Sequence, residues 1–249
     1  MKKIWFLSLS LAFISTSLFA QRESDPRWVF KMGLNGTDMN RNLVENTGDP
    51  VLKPAFTFGF ARNIEFVPKV LALNVGLRYS PRGYWSQQKF DEQVVYRIVD
   101  DTRRATTITP RNRSWNSLHY VDVPIDLVVQ VGGERTKFYA SAGGYVGLGV
   151  YGKNTIRYRT VSFGQDSTSS NLGVVAQQRD LVKKVDPFKN ELKRLDYGIN
   201  LAVGFRRNYT VFGVTYSQGL ANISNMNSGG SINNRSFGLF LNYFFDDAF

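Results

Sequence analysis

Nine consecutive residues, 197–205 (YGINLAVGF), carry the pattern that most constrains this chain. Tyr197, Ile199, Leu201, Val203 and Phe205 are large and apolar, while Gly198, Asn200, Ala202 and Gly204 between them are small or polar. A period of two is a β-strand with one greasy face and one tight, partly polar face. A tilted strand crosses a bilayer in about 9–11 residues, so the length fits a membrane as well as a soluble sandwich. The decision rests on whether the pattern recurs and how its copies are joined.

It recurs. Phe30, Met32 and Leu34 form one apolar row, and Phe56, Phe58 and Phe60 a second. Leu71, Leu73, Val75, Leu77 and Tyr79 follow, then Val121, Val123, Ile125, Leu127, Val129 and Val131. Residues 137–152 alternate small or aliphatic positions with Tyr139, Ser141, Gly143, Tyr145, Gly147 and Gly149. Beyond the opening strand come Phe212, Val214 and Tyr216, then Phe237, Leu239, Leu241, Tyr243 and Phe245. These are eight strands, and the connections between them alternate long and short from the first to the last. Outer-membrane barrels have that rule, with tight periplasmic turns, long extracellular loops and an even strand number.

Aromatic residues gather at both inferred membrane edges, as girdles do: Tyr79, Tyr84, Trp85, Trp115, Tyr120 and Tyr151 above, Trp28, Phe66, Tyr209, Tyr243 and Phe245 below. In lipid every backbone N–H and C=O must be paired, so the sheet must close on itself. The sequence therefore predicts an all-β fold, an eight-stranded antiparallel up-and-down transmembrane β-barrel of outer-membrane type. The competing soluble form is a lipocalin-like barrel with its apolar faces turned inward around a ligand. Within the polar stretch 87–117, the β-like runs 94–99 and 106–109 read as a hairpin continuing the flanking strands beyond the membrane.

The address agrees. Lys2 and Lys3, the apolar run 4–14 and the small residues up to Ala20 read as a secretory signal peptide, cleaved before Gln21. The barrel domain then occupies 21–249, integral to the outer membrane with both termini periplasmic. No cysteine occurs, which excludes a disulfide scaffold, a thiol nucleophile and a lipidated cysteine. The formal charge of +11 points, for an exported chain, to anionic lipid head groups or glycans rather than nucleic acid.

The segments VFKMGLN, NVGLRYSPRG, YVDVPIDLVVQ, FYASAGGYVGLGVYGK, YGINLAVGF, FGVTYSQGLANI and SFGLFLNYFF together resemble the PorT-like, or outer membrane protein β-barrel domain, proteins common in Bacteroidetes. The resemblance covers essentially the whole chain after the signal. It implies a small barrel and, through the family's founding members, an accessory role in gliding motility and type IX secretion. Its motifs are strand patterns, so it implies no catalytic residues and no cofactor.

Chemistry has two places to reside. Lys31, Asn35, Asn74, Arg78, Asp122, Asp126, Gln130, Asn200 and Arg206 are the polar residues expected to face inward. In a barrel only wide enough for side chains, Lys31 and Arg78 should pair with Asp122 and Asp126, flanked by Gln130 and Asn200. This network reads as a salt-bridged plug, with an ion pathway or narrow channel as the alternative. The segment 153–195 holds nine Lys or Arg against four Asp or Glu. Its Arg157, Arg159, Lys183, Lys184, Lys193 and Arg194 are candidates for lipopolysaccharide phosphates, anionic glycans or an envelope protein partner. His119, with Ser117 and Asp122 nearby in sequence, raises a lipid-modifying enzyme, but without a nucleophile motif it reads as a surface histidine. Neither metal nor phosphate-loop patterns occur. The expectation is a structural or interaction role at the envelope, without catalysis.

Overall fold

A computed structural model describes residues 28–42, 50–89, 93–99, 102–108, 111–133, 135–165, 174–225 and 230–245. The expected signal peptide lies outside the described residues. The elements in order are β1 (Trp28–Asn42), β2 (Pro50–Val51), β3 (Lys53–Val67), β4 (Leu71–Lys89), β5 (Gln93–Val99), β6 (Thr102–Ile108), β7 (Arg111–Gly132), β8 (Thr136–Gln165) and β9 (Val174–Val185). A single helical turn, α1 (Pro187–Asn190), then leads to β10 (Leu195–Arg207), β11 (Thr210–Gly219) and β12 (Ser231–Phe245).

Eight strands close a ring: β1, β3, β4, β7, β8, β10, β11 and β12, each antiparallel to its neighbours. Closure is made by β1 against β12, from Trp28↔Phe245 to Asn42↔Ser231. The ladder Leu195↔Leu148 to Arg207↔Thr136 joins β10 directly to β8 and passes over β9. β9 instead pairs with the far end of β8, from Asn154↔Val185 outward. The fold is thus the eight-stranded antiparallel barrel that the alternation requires.

The face assignment follows parity. Leu77, Val123, Ile125, Val146, Leu148, Ile199, Phe205, Phe212 and Leu239 are exposed outward, whereas Ala72, Asn74, Asp122, Val128, Tyr139 and Asn200 are buried inside. Small inward residues leave room for the larger side chains of the neighbouring strand. Gly147 lies directly across from Asp122, and a Cβ there would meet Asp122 Oδ1 at 2.2 Å.

Short turns and the described chain ends share one end of the barrel, the turn end. The longer connections share the other, the loop end. At the loop end the strands run further than the sequence reading had them. β4 and β7 stay paired out to Lys89↔Arg111, and β5–β6 forms the expected hairpin beyond them as a two-stranded sheet of its own. Each extended strand finds a neighbour to satisfy its backbone groups, which a polar composition does not prevent. A bulge between His119 and Tyr120 also matters: β8 carries an extra residue there, so Val150 and Tyr151 both face outward and the parity of β8 flips beyond them.

Candidate functional site

The lumen is built in three layers. At the turn end Val29, Ala61, Ala72, Val128, Tyr139, Val211 and Phe244 form an apolar cluster, with Ala202 and Phe240 packed against it. Arg206 from β10 lies over the Phe244 ring at 4.4 Å and donates to Gln130 Oε1 at 2.8 Å.

The middle layer is charged. Lys31 Nζ donates to Asp126 Oδ2 at 3.0 Å, and Asn200 Nδ2 donates to Asp126 Oδ1 at 3.4 Å. Arg78 donates to Asp122 Oδ2 at 3.1 Å and to Asn200 Oδ1 at 3.3 Å. Arg82 stands two inward positions further along β4 and bridges two aspartates. Its Nη2 donates to Asp122 Oδ2 at 2.6 Å and its Nη1 to Asp196 Oδ2. Asn234 Nδ2 donates to Asp196 at 2.7 Å, and the guanidinium lies 4.6 Å from the ring centres of both Tyr120 and Tyr145. Asp122 and Asp196 have no exposed surface. A carboxylate so placed is tolerable only because it is paired; an unpaired one would lose several kcal/mol of solvation. Beside this network is a cavity of about 70 Å³, lined by Lys31, Asn35, Arg78, Asp126, Asn200 and Ser217 among others, with room for a few waters.

The loop-end layer is apolar again: Met39, Leu118, Tyr120, Phe188, Leu192, Ala221, Ile223 and Ile232. α1 brings Phe188 into it. Asp186 caps that turn by accepting from Phe188 N at 3.0 Å, and Pro187 starts it with a fixed φ. Phe188 meets the Tyr120 ring edge-on at 5.7 Å between centroids.

The six residues expected to form the lumen network, Lys31, Arg78, Asp122, Asp126, Gln130 and Asn200, lie in the lumen, and all but Gln130 share one network. Sequence reasoning missed Arg82, Asp196 and Asn234. The signal existed: Arg82 continues the inward row of Asn74, Arg78 and Ser80, and Asp196 precedes Gly198 and Asn200 on theirs.

The basic candidates are dispersed. Arg157 and Arg159 belong to β8, and Lys183 and Lys184 to β9, so they stand on strands and not in a loop. Arg157, Lys183, Lys184 and Lys193 are exposed. Arg194 is exposed as well but tied down, donating to Gly149 O at 2.9 Å and lying over Phe188 at 5.2 Å. Two girdle assignments are also corrected: Tyr120 is completely buried in the lumen, and Tyr84 packs against the loop-end cluster. Both stand on the inward rows of their strands, Tyr120 between Leu118 and Asp122 on β7 and Tyr84 between Arg82 and Ser86 on β4.

His119 faces outward in a short aromatic belt. Tyr79 OH lies 2.5 Å from its Nδ1, and its ring neighbours those of Tyr79 and Tyr151. Asp122 lies on the opposite face of β7, inside, so the two cannot form a catalytic pair. Ser117 is held by Lys53, whose Nζ donates to Ser117 Oγ at 2.6 Å and to Asn116 O at 3.3 Å.

Comparison with known proteins matches the fold. The family model described as outer membrane protein beta-barrel domain matches residues 19–225. No curated protein matches the chain. Among solved structures, neisserial surface protein A is similar at 7% identity, with 90% of this chain and 100% of that one covered and a TM-score of 0.40. The N-terminal β-barrel domain of OprF from Pseudomonas aeruginosa is similar at 10% identity, covering 89% and 100%, with a TM-score of 0.27. The outer membrane protease OmpT of Escherichia coli is similar at 10% identity, covering 91% and 99%, with a TM-score of 0.26.

Proposed function

This chain belongs to the outer membrane protein beta-barrel domain family, and from that premise we propose that it is a sealed outer-membrane barrel with a structural and interaction role. The turn end, with both termini, faces the periplasm, and the loop end presents its basic groups outside the cell. One observation carries the reading. The Arg82–Asp122–Asp196 layer is enclosed between two apolar clusters, one around Phe244 and one around Phe188. An ion crossing it would have to enter both clusters and separate buried pairs, each step costing several kcal/mol. The separation of His119 from Asp122 supports a role other than catalysis.

Purified protein in a planar bilayer is expected to give no openings above the lipid background. Steady, resolved single-channel currents would refute the sealed lumen. Protease added to intact cells should cut within residues 153–195; protection of that segment on folded, surface-accessible barrels would refute the orientation.

A further inference from the structure

Beyond the belt of Tyr79, His119 and Tyr151, the outward face of the barrel changes character. Every second residue of β7 and β8 now meets across the ladder as Ser117↔Lys153, Trp115↔Thr155 and Arg113↔Arg157. The bulge at Tyr151 aligns this column, because without it Lys153 and Arg157 would point into the lumen. Trp85 of β4 joins from the side, with its ring 5.6 Å from that of Trp115. Together with Ser114 these residues line a groove of about 420 Å³.

The column is electrostatically incomplete. Arg113 and Arg157 stand directly opposite each other, an arrangement that costs stability in a strand pair. Among the described residues, no acidic side chain forms an ion pair with Arg113, Lys153 or Arg157. A fourth cation lies underneath. Lys53, only 9% exposed, reaches across β4 to Ser117. On β4 between them, Gly83 pairs with Ser117, has φ +135°, and an added Cβ there would meet Asn116 O, the second acceptor of Lys53, at 2.2 Å. Because Ser117 Oγ accepts from Lys53, its own proton is free to be donated into the groove.

We propose that this groove binds the phosphate of an outer-leaflet lipid head group. Arg113 and Arg157 supply forked donors, Lys153 and Ser117 close the phosphate from the belt side, and the Trp85–Trp115 pair covers the adjoining apolar part of the lipid. The ligand is a lipid and not a free anion because the groove opens sideways from the wall, immediately beyond the aromatic belt, at the level where head groups lie. The proposal deepens the reading of the loop end as the interaction surface and rests on its orientation.

The full chain carrying Trp28→Phe keeps Trp85 and Trp115 as its only tryptophans beyond Trp5. In phosphatidylcholine bilayers, quenching by brominated phosphatidic acid against brominated phosphatidylcholine gives the relative affinity at the groove. A preference for phosphatidic acid of about tenfold is expected, falling to within about twofold of unity in R113Q/K153Q/R157Q. Equal affinities in the parent, or an undiminished preference in a folded triple variant, would overturn the site. Inorganic phosphate at millimolar concentration should leave the preference unchanged; displacement of the lipid by it would assign the groove to a free anion. Loss of preference in a non-conducting barrel removes this site alone, whereas conductance with the preference intact removes the sealed lumen alone.

Discussion

The two ends of the lumen are closed by the same kind of chemistry and by different parts of the chain. At the turn end, Val29, Val128, Val211 and Phe244 are strand residues with a hydrogen-bonded neighbour on either side. At the loop end, Phe188, Leu192, Ala221 and Ile223 come from connections laid over Leu118 and Tyr120. These connections are held by a handful of bonds, among them Gly149 N to Arg194 O at 2.7 Å and Lys193 N to Ile223 O at 2.7 Å. A strand-borne seal opens only when the barrel opens. A connection-borne seal can lift by itself, because local opening costs only the contacts it breaks. In the proposed sealed barrel, one end is therefore closed by the strands themselves and the other by a removable element.

The layer between them binds both ends, and breaking it should have the largest effect. Asp122→Ala removes the shared acceptor of Arg78 and Arg82 and leaves buried cations with less than their complement of charge. A loss of about 3–5 kcal/mol is expected, read from urea unfolding in lipid vesicles. A change under about 1 kcal/mol would mean that the pairs are not buried as described.

The next test compares the seals directly. Phe244→Ala should lower global stability by about 3 kcal/mol or more, since strand walls cannot collapse into the space. Phe188→Ala should cost the barrel roughly 1 kcal/mol, because α1 can detach without unfolding the strands. It should instead speed amide exchange in residues 188–194 by at least about tenfold. Equal global losses, with no local change in exchange, would erase the distinction between the ends.

The same contrast explains what could be read in advance. Period-two parity places Val29, Val128 and Phe244 inside wherever a strand is recognised, and it places Lys31, Arg78, Asp122, Asp126 and Asn200 there too. It needed only to be carried two residues further to include Arg82 and Asp196. Parity fails at the bulge beside His119, where one extra residue in β8 turns Tyr151, Lys153 and Arg157 outward. It says nothing of Phe188, whose place depends on a capped turn folding back across the barrel mouth. Lys53 was invisible for a related reason: its partner Ser117 lies two strands away, on β7. The turn end is written in local pattern, and the loop end in contacts between distant segments.

Lys53 provides the smallest and most selective test, because it belongs to the loop end alone, beyond the aromatic belt. Burial pushes its amine down from 10.5 to about 8. Between those values the folded protein binds fewer protons than the unfolded chain, so stability rises with pH across that window. Below pH 8 the lysine is charged in both states and the cost of burying it is fully present. The midpoint of thermal unfolding in phosphatidylcholine should therefore climb by about 2–4 °C between pH 8 and 10.5, relative to Lys53→Met. A lipid phosphate above Ser117 would favour the charged amine and move the climb to higher pH. An unchanged profile in phosphatidic acid would separate Lys53 from the groove, leaving it a clamp between strands and nothing more.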